Sequence, residues 1–303
     1  MSFAILQEKI NAKKSPVVMG LDPKLEYIPK HIADRAVKEF GKTRKAAGEA
    51  LFEFGKGLID ACFDLLPAVK PQMAYYEMYG PEGILALYKT VEYAKSKDLY
   101  VILDGKRNDI GETARAYSAA YLGKCDIFGE SQKILDADCL TVNPYLGIDG
   151  VEPFIESCEK FGKAIFVLVK TSNPSSGDFQ DILIDGSPLY ERVAKKIAEW
   201  GKSENVGAVT GATYPAQLES LRAMLPDTFF LVPGYGAQGG AANDVKFAFD
   251  RRGGGAIVNS SRGIMCAWMK CGDGENFGGP AREEVIRMRD AIWAEKCGMR
   301  SEE

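Results

Sequence analysis

Eight short apolar runs recur along this 303-residue chain, and a longer amphipathic or polar stretch follows each of them. The runs are rich in Val, Ile and Leu and are bordered by Gly, Pro, Asp or Asn, a pattern typical of buried parallel strands. Eight strand–helix units without a break in composition predict an α/β protein with a single (β/α)8 barrel, and a doubly wound open sheet is the alternative. The runs are Val17–Leu21, Ala68–Met73, Tyr100–Asp104, Cys139–Val142, Ala164–Val169, Val206–Thr210, Phe229–Val232 and Ala256–Asn259.

The stretches between the runs predict helices. Residues 44–65 and 82–97 carry apolar side chains at helical spacing. Ser187 and Pro188 are interpreted as the N-cap and the first residue of another helix. We expect residues 1–303 to form one barrel domain, with an N-terminal extension at about 1–15 and a C-terminal helix at about 281–297.

Composition excludes several classes of protein. The 38 basic and 42 acidic residues give a net charge of −4, which argues against nucleic-acid binding. Charged residues interrupt every long apolar stretch, and the first residues do not resemble an export signal, so we expect no membrane span and a cytoplasmic location. The seven cysteines show no CxxC spacing, so thiols are expected and a metal is not. With His31 as the single histidine, any acid and base should be Asp, Glu or Lys.

Charged residues stand at the ends of the first three runs, namely Asp22, Lys70 and Asp104. Lys106 follows Asp104 by two positions and projects to the same side if the strand geometry persists, and Asp109 comes shortly after. Lys70, Asp104, Lys106 and Asp109 then form an alternating array that keeps its charges at neutral pH and can donate a proton to substrate. A structural ion-pair network is the alternative interpretation.

Glycine-rich sequence follows the seventh run, from Pro233 to Gly240, and Arg262 follows the eighth. Glycines let backbone N–H groups approach an oxyanion, and Arg can chelate phosphate oxygens, so a phosphate site is predicted here. Plain turn glycines are the alternative. The run also satisfies GxGxxG, but it is late in the chain and no acidic residue follows about 20 positions later, so dinucleotide binding is not predicted.

The fifth run ends in Lys170 and is followed by a small and polar stretch through Gly186. This connection is longer than the usual 2–6 residues. A lid over the catalytic face and an inert surface loop are both compatible with its length.

The segment Asp104-x-Lys106-x-x-Asp109-Ile110-x-x-Thr113 resembles the signature of the orotidine 5′-phosphate decarboxylase family, and of its longer subgroup. Other matches occur in the expected order along residues 17–264. They are Leu21-Asp22-Pro23, Lys70, Thr171-Ser172-Asn173-Pro174, Pro233-Gly234-x-Gly236-Ala237-Gln238-Gly239-Gly240 and Ser261-Arg262-Gly263.

The resemblance implies a decarboxylation of orotidine 5′-phosphate to uridine 5′-phosphate in pyrimidine synthesis, with no cofactor. Lys106 would protonate the ring carbon that loses carbon dioxide, and Asp104 would lie against the departing carboxylate. Lys70 would order the aspartates and reach the ribose, and Asp22 would accept a hydrogen bond from a ribose hydroxyl.

The resemblance also implies a homodimer with shared active sites. Asp109, Ile110 and Thr113 would enter the site of the neighbouring subunit.

The remaining matched residues would bind the two ends of the nucleotide. Ser172, with Thr171 close by, would bond the pyrimidine amide. Gln238 and Arg262 would clamp the phosphate.

Two features depart from the compact members of the family, because residues 40–50 and 175–187 look extended. Two other functions stay open: a magnesium-dependent sugar-phosphate decarboxylase or aldolase of the same suprafamily, and a barrel that binds a nucleotide without turning it over.

Overall fold

Eight parallel strands close into a barrel in the computed structural model, which describes residues 2–201, 204–236, 240–272 and 274–298. Each strand pairs with the next along the chain, and Val17 of the first strand opposite Val258 of the last closes the ring. The predicted (β/α)8 barrel is therefore confirmed, and the open sheet is wrong. The strands are β1 Val17–Leu21, β2 Ala68–Pro71, β3 Tyr100–Arg107, β4 Cys139–Val142, β5 Ala164–Lys170, β6 Val206–Thr210, β7 Phe230–Val232 and β8 Ala256–Ser260.

Helices connect the strands, and their apolar faces share one large core with the outer faces of the barrel strands. No helix among the described residues is both long enough and apolar enough to cross a membrane. The helices are α1 Ser2–Lys13, α2 Lys30–Phe40, α3 Arg44–Cys62, α4 Ala74–Glu77, α5 Pro81–Ser96, α6 Gly111–Tyr121, α7 Glu152–Phe161, α8 Gly177–Gln180, α9 Leu189–Trp200, α10 Pro215–Met224, α11 Ala242–Val245, α12 Arg262–Met265, α13 Ala267–Cys271 and α14 Gly278–Gly298.

Three local predictions need correction. Helix α9 begins at Leu189, because Ser187 and Pro188 pair with Leu183–Ile184 in a short antiparallel hairpin, so Ser187 is not its N-cap. Strand β2 ends at Pro71, two residues before the predicted end. The stretch after β5 is not uniformly loop, since it contains α8 and this hairpin.

The N-terminal extension expected from sequence is helix α1, and it closes one end of the barrel. Its buried side chains pack among the inward-facing residues of the strands. The ring centroid of Phe3 lies 4.9 Å from that of Phe166 and 5.0 Å from that of Phe229. Apolar side chains fill most of this end, and the open cavity of the barrel lies at the other end, where the strands have their carboxyl termini.

Arg222 on α10 joins several turns near the barrel floor through its guanidinium. It lies 3.8 Å over the ring of Phe230, and burial lowers its pKa to about 10, so it stays charged at neutral pH. The guanidinium donates hydrogen bonds to the backbone carbonyls of Leu225, Pro226, Thr228, Ala248 and Gly255.

Replacing Arg222 with methionine should lower the free energy of unfolding by about 3 kcal/mol, because it leaves buried carbonyls without donors. Urea unfolding followed by circular dichroism measures the change. Arg115→Met is the control, since Arg115 is half-exposed and its ion pairs with Glu112 and Glu156 are worth at most about 1 kcal/mol. Equal stability of the two variants would contradict the assigned role.

Candidate active site

A cavity of about 440 Å³ opens at the carboxyl ends of the strands. Its volume is in the range of ligand sites, about 300–1,000 Å³. The predicted residues that line it are Asp22, Lys70, Asp104, Lys106, Thr171, Ser172 and Arg262. The other lining residues are Tyr27, Tyr75, Thr141, Leu168, Asn173, Val209, Leu231, Pro233, Gly234, Tyr235, Asn259 and Ser261.

The Asp104 carboxylate is the centre of the charged cluster in this cavity. Lys70 Nζ donates to its Oδ2 at 2.7 Å, and Lys106 Nζ donates to its Oδ1 at 2.6 Å. Thr141 Oγ1 also donates to Oδ1, at 2.9 Å. Three donors from β2, β3 and β4 therefore fix one carboxylate, and the strand ends position all of them.

The charges of this cluster sustain one another. Burial alone would raise the pKa of Asp104, but the neighbouring charges of Lys70 and Lys106 outweigh it and hold the pKa well below its usual value. Burial likewise opposes the charge of Lys70, but Asp104 and Asp22 raise its pKa above the ordinary value. Asp104 and Lys70 are consequently both charged at neutral pH.

Lys106 and Lys70 differ in their access to the cavity. The Lys106 side chain is 46% exposed and that of Lys70 is 5% exposed. The exposed Lys106 ammonium can contact a bound molecule, whereas the buried Lys70 ammonium stabilises the Asp104 carboxylate.

The backbone at Lys106 does not continue the regular strand expected from sequence. Its φ is +46°, and the pairing of β3 with β4 shifts between Leu103 and Arg107. The Lys106 N–H donates to Thr141 Oγ1 at 2.9 Å, which supports this unusual conformation. Lys106 therefore reaches Asp104 through a bulge rather than through the two-residue repeat of a strand.

Two buried acceptors in the cavity lack a hydrogen-bond partner among the described residues: Asp22 Oδ1 and Asn259 Oδ1. Burial raises the pKa of Asp22, and the charge of Lys70 opposes that rise. Buried polar atoms are rarely left unpaired, so these two oxygens are candidate acceptors for hydroxyl or amide donors of a ligand.

The predicted phosphate side is described in part. Pro233 and Gly234 after β7 and Arg262 at the start of α12 line the cavity together. Gln238 lies outside the described residues, so its predicted role remains a prediction.

Asp109, Ile110 and Thr113 do not line the cavity of their own chain. Asp109 Oδ1 accepts a hydrogen bond from the Ile110 N–H at 2.8 Å, and the side chains of Ile110 and Thr113 are exposed. One chain therefore brings together three members of the predicted array, and Asp109 stays apart from them.

Thr141 and Asn259 line the cavity although neither was predicted as a site residue from the sequence. Thr141 is the single hydroxyl residue in the run CLTV, and a polar residue in a buried strand is a signal that could have found it. Tyr27 and Tyr75 also line the cavity, but nothing in their local sequence distinguishes them from other surface tyrosines.

The fold and the site together define a (β/α)8-barrel enzyme that binds a small anionic substrate beside paired amine and carboxylate groups. Comparison with protein families then gives the group. A model of the orotidine 5′-phosphate decarboxylase / HUMPS family matches residues 19–268, and the chain belongs to that family.

Several relatives that carry the name of this enzyme are similar over most of their length. Orotidine 5′-phosphate decarboxylase of Caldicellulosiruptor bescii is 46% identical over 274 residues, which cover 87% of this chain and 88% of that protein. The protein of the same name from Rhodopirellula baltica is 44% identical over 305 residues, covering 96% and 99%. The solved structure of Leishmania donovani OMP decarboxylase is 31% identical with a TM-score of 0.72, covering 95% of this chain and 98% of that one.

Proposed function

We propose that this chain converts orotidine 5′-phosphate to uridine 5′-phosphate and carbon dioxide without a metal or a cofactor. The proposal rests on Lys106, whose ammonium projects into the cavity while it is held 2.6 Å from a buried carboxylate. Membership of the family and the names of its relatives support the same reaction.

The cavity suits the parts of this substrate. The phosphate binds beside Arg262 and Gly234, whose guanidinium and backbone N–H match an oxyanion. The ribose hydroxyls donate to the unpaired oxygens of Asp22 and Asn259. The pyrimidine lies toward Ser172, and its carboxylate meets the charged cluster.

The reaction breaks the bond between the ring carbon and the carboxylate, and the electron pair stays on the ring carbon. Asp104 keeps its negative charge, so it repels the substrate carboxylate before carbon dioxide leaves. The Lys106 ammonium stabilises the electron pair that develops on the ring and then donates a proton to that carbon. The neutral amine regains its proton from water after the product departs.

We further propose that two chains form a dimer in which Asp109, Ile110 and Thr113 complete the site of the partner subunit. A Cβ placed on Gly150 would lie 3.2 Å from the Asn108 side-chain oxygen and 3.2 Å from the Asp109 carbonyl oxygen, so the loops after β3 and β4 are adjacent. These loops expose large apolar side chains that a second copy would cover, as expected for an interface. They are Ile110, Tyr145, Leu146 and Ile148.

The cytoplasm is the proposed location. The six cysteines whose state the structure describes are free thiols, and three of them are buried. Free thiols persist in a reducing compartment.

Purified protein in excess chelator should consume orotidine 5′-phosphate, with loss of its ultraviolet absorbance, because the cluster supplies both charge and proton. The same protein is assayed with magnesium and sugar phosphates, and its binding of uridine 5′-phosphate is measured by calorimetry. Activity only with magnesium and a sugar phosphate would support the first alternative. Tight nucleotide binding without turnover would support a non-catalytic barrel.

A further inference from the structure

Two side-chain pairs act as staples that join the ends of the loop after β5: Lys170 with Asp181, and Gln180 with Thr171. Lys170, the last residue of the strand, is 1% exposed, and its Nζ donates to Asp181 Oδ1 at 2.7 Å. Gln180 pairs with Thr171 twice: its Oε1 accepts from the Thr171 N–H at 3.0 Å, and its Nε2 donates to Thr171 Oγ1 at 2.8 Å. Residues 172–179 thus form a loop whose flanking residues are hydrogen-bonded to each other.

The start of this loop forms one wall of the active-site cavity, through Ser172 and Asn173. A Cβ placed on Gly211, at the end of β6, would lie 2.9 Å from the Ser172 Cα, so the chain passes directly over that glycine. Ser172 is therefore confined by Gly211 on one side and by the staples at the loop ends.

Burial of the Lys170 ammonium makes its ion pair with Asp181 costly to break. The Nζ lies 4.8 Å from the ring centroid of Tyr214 and 5.7 Å from that of Tyr190, an environment with little water. Among the described residues, Asp181 is the carboxylate in ion-pair contact with it, and that side chain is 42% exposed. An unpaired buried charge is costly, so the lysine favours the loop conformation that brings Asp181 to it.

We propose that Lys170 and Asp181 are positioning residues that hold Ser172 against the pyrimidine ring of the substrate. This inference rests on the proposed function for the identity of the base. The pair itself does not line the cavity, so it acts on the ligand only through the loop.

Asp181→Asn should weaken the binding of uridine 5′-phosphate about ten-fold, because loss of one charge-assisted hydrogen bond frees the loop. It should leave the affinity for ribose 5-phosphate, which lacks the base, unchanged within about two-fold. Calorimetry measures the first affinity, and displacement of uridine 5′-phosphate measures the second. The matched control is Asp185→Asn, because Asp185 lies on the same connection and pairs with exposed Arg192 rather than with β5.

A double-mutant cycle with Ser172→Ala tests the route of the effect. If the staple acts through Ser172, Asp181→Asn should cause no further loss in the Ser172→Ala background. The double variant Lys170→Met, Asp181→Asn removes the buried charge together with its partner, so it gives the same test if Asp181→Asn alone fails to fold. Equal weakening of both ligands, or additive effects of the two substitutions, would overturn the inference. Wild-type turnover of orotidine 5′-phosphate is measured in parallel, and its absence would instead overturn the proposed function.

Discussion

Replacing Lys106 with alanine is expected to lower turnover of orotidine 5′-phosphate by roughly 10⁵-fold. The substitution removes a general acid, worth about 10²–10⁴-fold, together with the cation that faces the developing charge, worth about 10²–10³-fold. Binding of uridine 5′-phosphate should change by less than about ten-fold, because the groups proposed for phosphate, ribose and base stay in place. Single-turnover kinetics and calorimetry measure the two quantities separately.

Two further lysine variants sharpen this test. Lys106→Arg keeps the positive charge but replaces the ammonium with a guanidinium, which does not give up a proton in proteins, so its turnover should remain low. Lys196→Ala is the control on the exposed face of α9, where the lysine pairs with Glu199, and it should leave both turnover and binding unchanged. Near-normal turnover in Lys106→Ala would refute the proton-donor assignment, and full activity in Lys106→Arg would reduce the role of Lys106 to charge alone.

The barrel was predictable because each strand is buried on both faces. A strand such as Ala164–Lys170 must be nearly continuous apolar sequence, and that signal needs no knowledge of the neighbouring strands. The approximate position of the site was predictable for a related reason, since charged residues at strand ends meet at one end of a closed barrel. Asp22, Lys70 and Asp104 indicated the cavity in this way.

Other features depend on contacts between distant parts of the chain, and local patterns do not encode them. The sequence predicted only an N-terminal extension where helix α1 lies, because the apolar face that fills the barrel floor is short. The bulge at Lys106 depends on a hydrogen bond to Thr141 on another strand. The ion pair of Lys170 with Asp181 joins the end of β5 to the far end of a polar loop. From sequence alone, an acidic residue in such a loop is expected to be solvated.

The position of Asp109 outside the cavity leads to the second large prediction, which concerns how two chains assemble. Within one chain, the Asp109 carboxylate accepts a hydrogen bond from the Ile110 N–H and does not line the cavity, although Asp109 belongs to the same signature as Asp104 and Lys106. If Asp109 of the partner subunit completes the charged array, Asp109→Ala should lower turnover by roughly 10²–10⁴-fold, in line with the loss of a catalytic group. The variant should still form dimers, which sedimentation measures.

Mixing Asp109→Ala chains with Lys106→Ala chains should then restore activity, because one of the two sites in a hybrid dimer contains both native residues. With equal amounts and random exchange, half of the dimers are hybrid and half of their sites are intact, so about a quarter of wild-type activity should return. A mixture of Lys106→Ala with Asp104→Asn is the matched control. Both residues lie in the same chain's cavity, so no site in that hybrid is intact and no activity should return. Hybrid dimers verified by two affinity tags that stay inactive in the first mixture would show that the sites are not shared.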